Sequence, residues 1–144
     1  MWAENMINKF EKFADALCRD DASADYWYDE GIIEAQDMLE KFLPEDWDRL
    51  RQIIKNKPDE WKKRVIYCFD GENTEKQIGI VFDLMDTEDK ELFEGCIDTL
   101  RCLINEDNRD KIKNMPQIEC VHKYLPKENG IMKMIYLDFF KKIL

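Results

Sequence analysis

The stretches EDWDRLRQIIKNKPDEWKKRVIYCF (residues 45–69) and KQIGIVFDLMDTEDKELFEGCIDTL (residues 76–100) carry the same apolar pattern, 31 residues apart in a chain of 144. Apolar side chains in each stretch recur at the three- and four-residue spacing of an amphipathic helix, which predicts two helices joined by a polar turn. Eight apolar positions coincide in the two stretches: Trp47, Leu50, Ile53, Ile54, Trp61, Val65, Ile66 and Phe69 fall on Ile78, Val81, Leu84, Met85, Leu92, Cys96, Ile97 and Leu100. The pattern predicts two stacked helix pairs over about residues 45–104, within a single all-helical domain spanning residues 1–144.

The flanking segments show the same helical periodicity, and no segment shows the alternation typical of a β-strand. Further helices are predicted at about residues 2–18, 26–42, 111–115, 116–125 and 129–144. The 31-residue pattern fails beyond Arg109, so both ends of the chain are interpreted as degenerate caps. We therefore expect an all-α fold, a short right-handed α/α superhelix of antiparallel helix pairs. An irregular helical bundle is the alternative.

For two of the predicted helices, the sequence predicts which side chains are buried. In the first, one stripe of apolar side chains is expected to face the core: Trp2, Met6, Phe10, Phe13 and Leu17. The last, IMKMIYLDFFKKIL (residues 131–144), is apolar on nearly all sides. Such a helix is either sandwiched in a core or faces a partner, and we favour the core.

The charge of the chain indicates which classes of binding partner to expect. The formal net charge is −10, with 14 acidic and 5 basic side chains in residues 1–50 but 6 acidic and 9 basic in residues 101–144. Nucleic acid and anionic membranes bind positive surfaces, so neither is expected to bind this chain directly. No apolar run approaches the roughly 18 residues of a membrane-spanning helix. The natural complement of the acidic region is a basic protein surface.

Cysteine usage indicates a reducing compartment. The chain has five cysteines (Cys18, Cys68, Cys96, Cys102 and Cys120) and no Cys-x-x-Cys pair. The first residues, MWAENMINKF, lack the basic and apolar regions of a secretory signal. We therefore expect a cytoplasmic protein whose thiols are mostly small core side chains.

The second helix pair resembles a known repeat. LMDTEDKEL (residues 84–92), followed by CIDTL (residues 96–100), resembles the acidic turn and second helix of a HEAT-like repeat. With DYWYDEGIIEAQDMLEKFLPEDWDRLRQIIKNKPDEW (residues 25–61), the chain is similar over about residues 25–104 to the small acidic HEAT-like immunity proteins of bacterial contact-dependent growth inhibition and polymorphic toxin systems. This resemblance implies a cytoplasmic antidote that binds the C-terminal domain of a cognate toxin, often a nuclease, and occludes its active site.

Residues suited to catalysis are scarce. His122 is the only histidine, and the Glu-x-x-His element from Glu119 lacks the second copy that a di-iron bundle needs. The chain has no P-loop and no Gly-x-Gly-x-x-Gly motif. We therefore expect a protein that is not an enzyme and has no catalytic residues, metal or cofactor. Two other classes remain open, a HEAT-like scaffold or adaptor and an enzyme using a carboxylate-held metal.

Candidate binding residues lie in two acidic regions. Three consecutive aromatics, Tyr26 to Tyr28, span about 200° of a helix, so at least one should be exposed as an interface anchor. The helix predicted at about residues 26–42 has an outward acidic stripe, and so does the helix predicted at about residues 89–104. The two stripes, Glu30, Glu34 and Asp37 on the first and Glu91, Glu94 and Asp98 on the second, would lie on one face of a superhelix. The predicted partner-binding residues are Tyr26, Trp27, Tyr28, Asp29, Glu30, Glu34, Asp37, Glu60, Tyr67, Glu91, Glu94 and Asp98. Alternatively, Trp27 belongs to the core and the stripes are solvated surface.

Overall fold

The fold is all-helical in the computed structural model, which describes residues 5–18, 30–71 and 73–144. Within these ranges it has nine α-helices, one 3-10 helix and no strand. The helices are α1 (Met6–Cys18), α2 (Ile32–Glu40), α3 (Pro44–Ile54), α4 (Asp59–Tyr67), α5 (Thr74–Leu84), α6 (Lys90–Leu103), α7 (Arg109–Lys113), α8 (Ile118–Tyr124) and α9 (Gly130–Ile143), with the 3-10 helix Leu125–Lys127 between the last two. The all-α prediction is confirmed.

The 31-residue pattern corresponds to the helix pairs α3–α4 and α5–α6. Fifteen of the sixteen matched apolar side chains are buried, and Ile53 is half-buried. Helix α3 packs against α5, and α4 packs against α6. Equivalent helices of the two pairs are therefore neighbours.

Polar contacts also join equivalent helices. The Arg51 guanidinium on α3 donates to the Asp83 carboxylate on α5 at 2.6 and 3.0 Å. The Thr99 hydroxyl on α6 donates to the Ile66 carbonyl on α4 at 3.3 Å. The bonded residues are 32 and 33 positions apart, close to the 31-residue repeat. These bonds fix the register between the two pairs.

Helix α1 packs against α2, α3 and α4 and closes one end of this core. Its buried side chains are Ile7, Phe10 and Ala14. Of the predicted stripe, Phe10 is buried, whereas Met6, Phe13 and Leu17 are only half-buried and Trp2 lies outside the described residues. The half-buried members also pack against the core, so the described part of the predicted stripe faces inward, with the deepest burial at Ile7, Phe10 and Ala14.

Helix α9 packs against α6 and α7 on one side only. Its buried side chains are Tyr136, Phe139, Phe140 and Ile143. On the other side Ile131, Met134 and Leu137 are 76%, 70% and 49% exposed. The prediction that this helix lies in the core is confirmed for the face with the buried side chains. It is wrong for the face that carries Ile131, Met134 and Leu137.

The cysteines are divided between core and surface. Cys68 and Cys96 are buried, Cys18 is half-buried, and Cys102 and Cys120 are exposed. Burial raises the pKa of the Cys96 thiol to about 12. The expectation of core thiols was wrong for Cys102 and Cys120, which lie on the faces of α6 and α8 turned away from the core. Among the described helices, none is long and apolar enough to cross a membrane.

Asp89 is the N-cap of α6, and its side chain bonds the first turn of that helix. The Asp89 carboxylate accepts from the Leu92 amide at 2.8 Å and lies 3.5 Å from the Lys63 ammonium. We expect Asp89→Ala to lower the free energy of unfolding by about 1 kcal/mol near neutral pH, as for other N-caps. The measurement is urea denaturation followed by circular dichroism.

The same substitution should have a pH-dependent effect. The Leu92 amide, followed by the Lys63 charge, holds the pKa of Asp89 below its ordinary value of 3.8. The carboxylate therefore stabilises the fold above pH 3.8, and this contribution is lost as the pH falls through the lowered folded-state pKa. Asp89→Asn, which keeps a side-chain acceptor for the helix cap, is the control. Its free energy of unfolding should fall less than that of Asp89→Ala. An Asp89→Ala deficit that does not shrink on acidification would contradict this assignment.

Candidate protein-binding site

Helix α2 presents an exposed acidic surface that carries three of the predicted site residues. Its inward side chains Ala35 and Leu39 are buried, and the helix packs against α1. The remaining face carries Glu30, just before the helix, and Glu34 and Asp37 within it, all exposed as predicted.

Ile33 lies among these carboxylates and is 61% exposed. Sequence analysis missed it, because adjacent apolar residues in a helix can both be buried, as Val65 and Ile66 are in α4. We call the surface formed by Glu30, Ile33, Glu34 and Asp37 the α2 acidic face. It combines negative charge with one exposed aliphatic side chain.

A groove of about 300 Å³ separates α2 from α6. The Gln36 amide on α2 donates to the Cys68 carbonyl after α4 at 3.3 Å, which holds α2 beside the end of α4. Tyr67, a predicted site residue at the groove, is 56% exposed. The lining residues are Ile32, Gln36, Tyr67, Phe69, Asp98, Thr99, Arg101 and Cys102. The fold thus brings Tyr67 and Asp98 together with α2 around this α2–α6 groove.

The predicted acidic residues of α6 are paired with cations of the same chain. Glu91 lies 2.9 Å from the Lys63 ammonium on α4. Asp98 accepts from Arg101 Nε at 3.1 Å. These intramolecular pairs reduce the negative potential that α6 offers to a partner.

Glu94 and Glu60, two other predicted site residues, are also paired. The Glu94 carboxylate lies 3.7 Å from the Lys90 ammonium, and burial raises its pKa. The Glu60 carboxylate accepts from Arg64 Nε at 3.1 Å. Glu60 is in the first turn of α4, about 10 Å along the helix from Tyr67. The structure therefore does not bring Glu60 to the α2–α6 groove.

Four predicted site residues, Tyr26, Trp27, Tyr28 and Asp29, lie outside the described residues. In the sequence they directly precede the α2 acidic face. Their predicted role as aromatic anchors stays a prediction.

His122 and the carboxylates do not form a metal-binding group within the described residues. His122 is exposed and stacks on Phe140 with ring centroids 4.4 Å apart. Over the described ranges, no group of three or more His, Cys, Asp or Glu side chains is arranged to hold a metal ion.

A second groove, of about 480 Å³, lies between α6 and α9. Arg101 lines both this groove and the α2–α6 groove, and its guanidinium also donates to Asp138 on α9 at 3.3 Å. The other lining residues are Ile131, Met134, Ile135 and Asp138. Sequence analysis missed this surface because it assigned α9 to the core.

Neither a protein-family model, nor a curated protein, nor a solved structure matches this chain. The case for a function therefore depends on the geometry and charge of the site itself.

Proposed function

We propose that this protein is a toxin-neutralising immunity protein of the HEAT-like type. It acts in the bacterial cytoplasm by binding the C-terminal domain of a cognate toxin stoichiometrically, without turnover. The observation that carries the proposal is the α2 acidic face, which lies beside a groove with Tyr67 exposed at it. The toxin domain is expected to be basic, as a nuclease that binds a polyanion is.

The α2 acidic face supplies two properties that an antidote needs. Exposed Glu30, Glu34 and Asp37 attract a basic surface from a distance, which accelerates association. Ile33 and Tyr67 offer apolar area that becomes desolvated in a complex and slows dissociation. We include Tyr26–Asp29 in the proposed surface because they adjoin Glu30 in the sequence.

The proposed architecture is a short right-handed α/α superhelix of HEAT-like pairs. Two sets of contacts support it, since α3 packs against α5 and α6 packs against both α4 and α9. In such an arrangement, successive helices of one row carry a continuous surface.

The function is tested with the C-terminal domain of the toxin encoded immediately upstream of this gene. We expect the enzymatic activity of that domain to fall linearly with added protein and to vanish at a molar ratio of one. Full activity in the presence of excess protein, or no toxin domain encoded beside the gene, would contradict the proposal.

A HEAT-like scaffold or adaptor is the second candidate. It is favoured by the exposed apolar side chains of α9, which give the molecule another surface besides the α2 acidic face. An adaptor binds two different proteins at once and inhibits neither. Capture of two proteins without any loss of toxin activity would therefore favour this candidate.

A further inference from the structure

The outer side of α9 carries a stripe of opposite charge to α2. Lys133, Leu137 and Lys141 follow one another at four-residue spacing, so they lie along one side of the helix. Both lysines are exposed, and Leu137 is 49% exposed. Met134, 70% exposed, lies beside them. We call these four residues the α9 basic face.

The α9 basic face and the α2 acidic face match in size and chemistry. On α2, Glu30 and Asp37 are seven residues apart, a backbone rise of about 10 Å, and Ile33, exposed, lies between them in the sequence. On α9, Lys133 and Lys141 are eight residues apart, a backbone rise of about 12 Å, and Leu137 lies between them on the same side of the helix. Each surface is an aliphatic side chain between two like charges, and the charges are opposite on the two helices.

We infer that the α9 basic face of one copy binds the α2 acidic face of a second copy. The occupant is a second copy because this chain itself offers the complementary charge, residues 1–50 being strongly acidic and residues 101–144 mildly basic. A contact between two different surfaces leaves one α2 face and one α9 face open at the ends of each dimer. Association therefore increases with concentration beyond the dimer, and salt weakens it.

Two charge-reversed variants test this contact. The first, Glu30→Lys with Asp37→Lys, makes both faces positive, and the second, Lys133→Glu with Lys141→Glu, makes both negative. In sedimentation velocity at low salt, the wild-type sedimentation coefficient should rise with concentration. Each variant alone should lose this rise. An equimolar mixture should regain it, because the reversed α2 face of one variant meets the reversed α9 face of the other.

Controls separate this contact from general charge effects and misfolding. Lys111→Glu with Lys113→Glu makes the same charge change at exposed positions of α7 and should associate like the wild type. Leu137→Ser leaves every charge in place and should also lose the concentration dependence, which keeps the test valid if a reversed variant fails to fold. A wild type that stays monomeric, or a mixture that does not regain association, would overturn the inference. So would unchanged association of the first variant alone, since that indicates contact between two α9 faces.

If the proposed function also holds, toxin and second copy compete for the α2 acidic face. The Lys133→Glu, Lys141→Glu variant should then remain monomeric and still inhibit the toxin domain. Failure of self-association leaves inhibition intact, and failure of inhibition leaves self-association intact. The two proposals are thus tested separately.

Discussion

Replacement of Trp61 by alanine is expected to lower the free energy of unfolding by about 3–5 kcal/mol. Trp61 on α4 is 1% exposed, and its ring meets Phe10 of α1 edge-on with centroids 6.3 Å apart. The Lys57 ammonium lies 5.2 Å from the centre of the same ring. Truncation removes contacts between α1 and the first helix pair and leaves a cavity that rigid neighbouring helices fill only partly.

Urea denaturation of Trp61→Ala and of Tyr67→Ala, two positions on the same helix, measures this effect. Tyr67 is 56% exposed, so its truncation should change the free energy of unfolding by less than about 0.5 kcal/mol. Under the proposed function, Tyr67→Ala should instead weaken toxin binding. A loss below about 1 kcal/mol for Trp61→Ala would show that α1 is not packed on α4 as described.

Reversal of charge on α2 is expected to slow association with the toxin domain by about 10- to 100-fold at low salt. The variant is Glu30→Lys with Asp37→Lys, which turns an attractive surface into a repulsive one. Because both side chains are exposed, the free energy of unfolding should change little. The association rates of the variant and of the wild type are compared by stopped-flow measurement over a range of salt concentrations.

Glu106→Lys with Asp107→Lys is the matched control, since it makes the same change in net charge at exposed positions before α7. Its association rate should stay within a few fold of the wild-type rate. Equal slowing by both variants would mean that net charge alone governs the encounter. An unchanged rate for the α2 variant would remove the α2 acidic face from the proposed site.

Most of the fold could be predicted because helix pairs bury their apolar stripes at a fixed period. Leu100 and Trp61 were assigned to the core from spacing alone, and both are buried. Periodicity shows that a helix has an apolar side but not how many neighbours cover it. Helix α9 is apolar nearly all round, yet its neighbours, mainly α6 and α7, cover one side of it, so Met134 stays exposed.

The candidate site could be predicted only in part, for a similar reason. The outward side of α2 follows from its amphipathic pattern, and its acidic residues are exposed as expected. The pairing of Glu91 with Lys63 joins residues 28 positions apart on different helices. The α2–α6 groove likewise depends on where α2 lies relative to Arg101. Both features arise from tertiary packing, which the apolar pattern of one helix does not specify.

Hydrogen–deuterium exchange of the protein with and without the toxin domain tests the proposed binding surface most directly. We expect added protection at the backbone amides of α2, of residues 67–69 and of residues 98–102, the segments that form the α2 acidic face and the adjoining groove. The amides of α3, α5 and α7 should exchange at unchanged rates. Protection confined to those three helices, with α2 unaffected, would contradict the account.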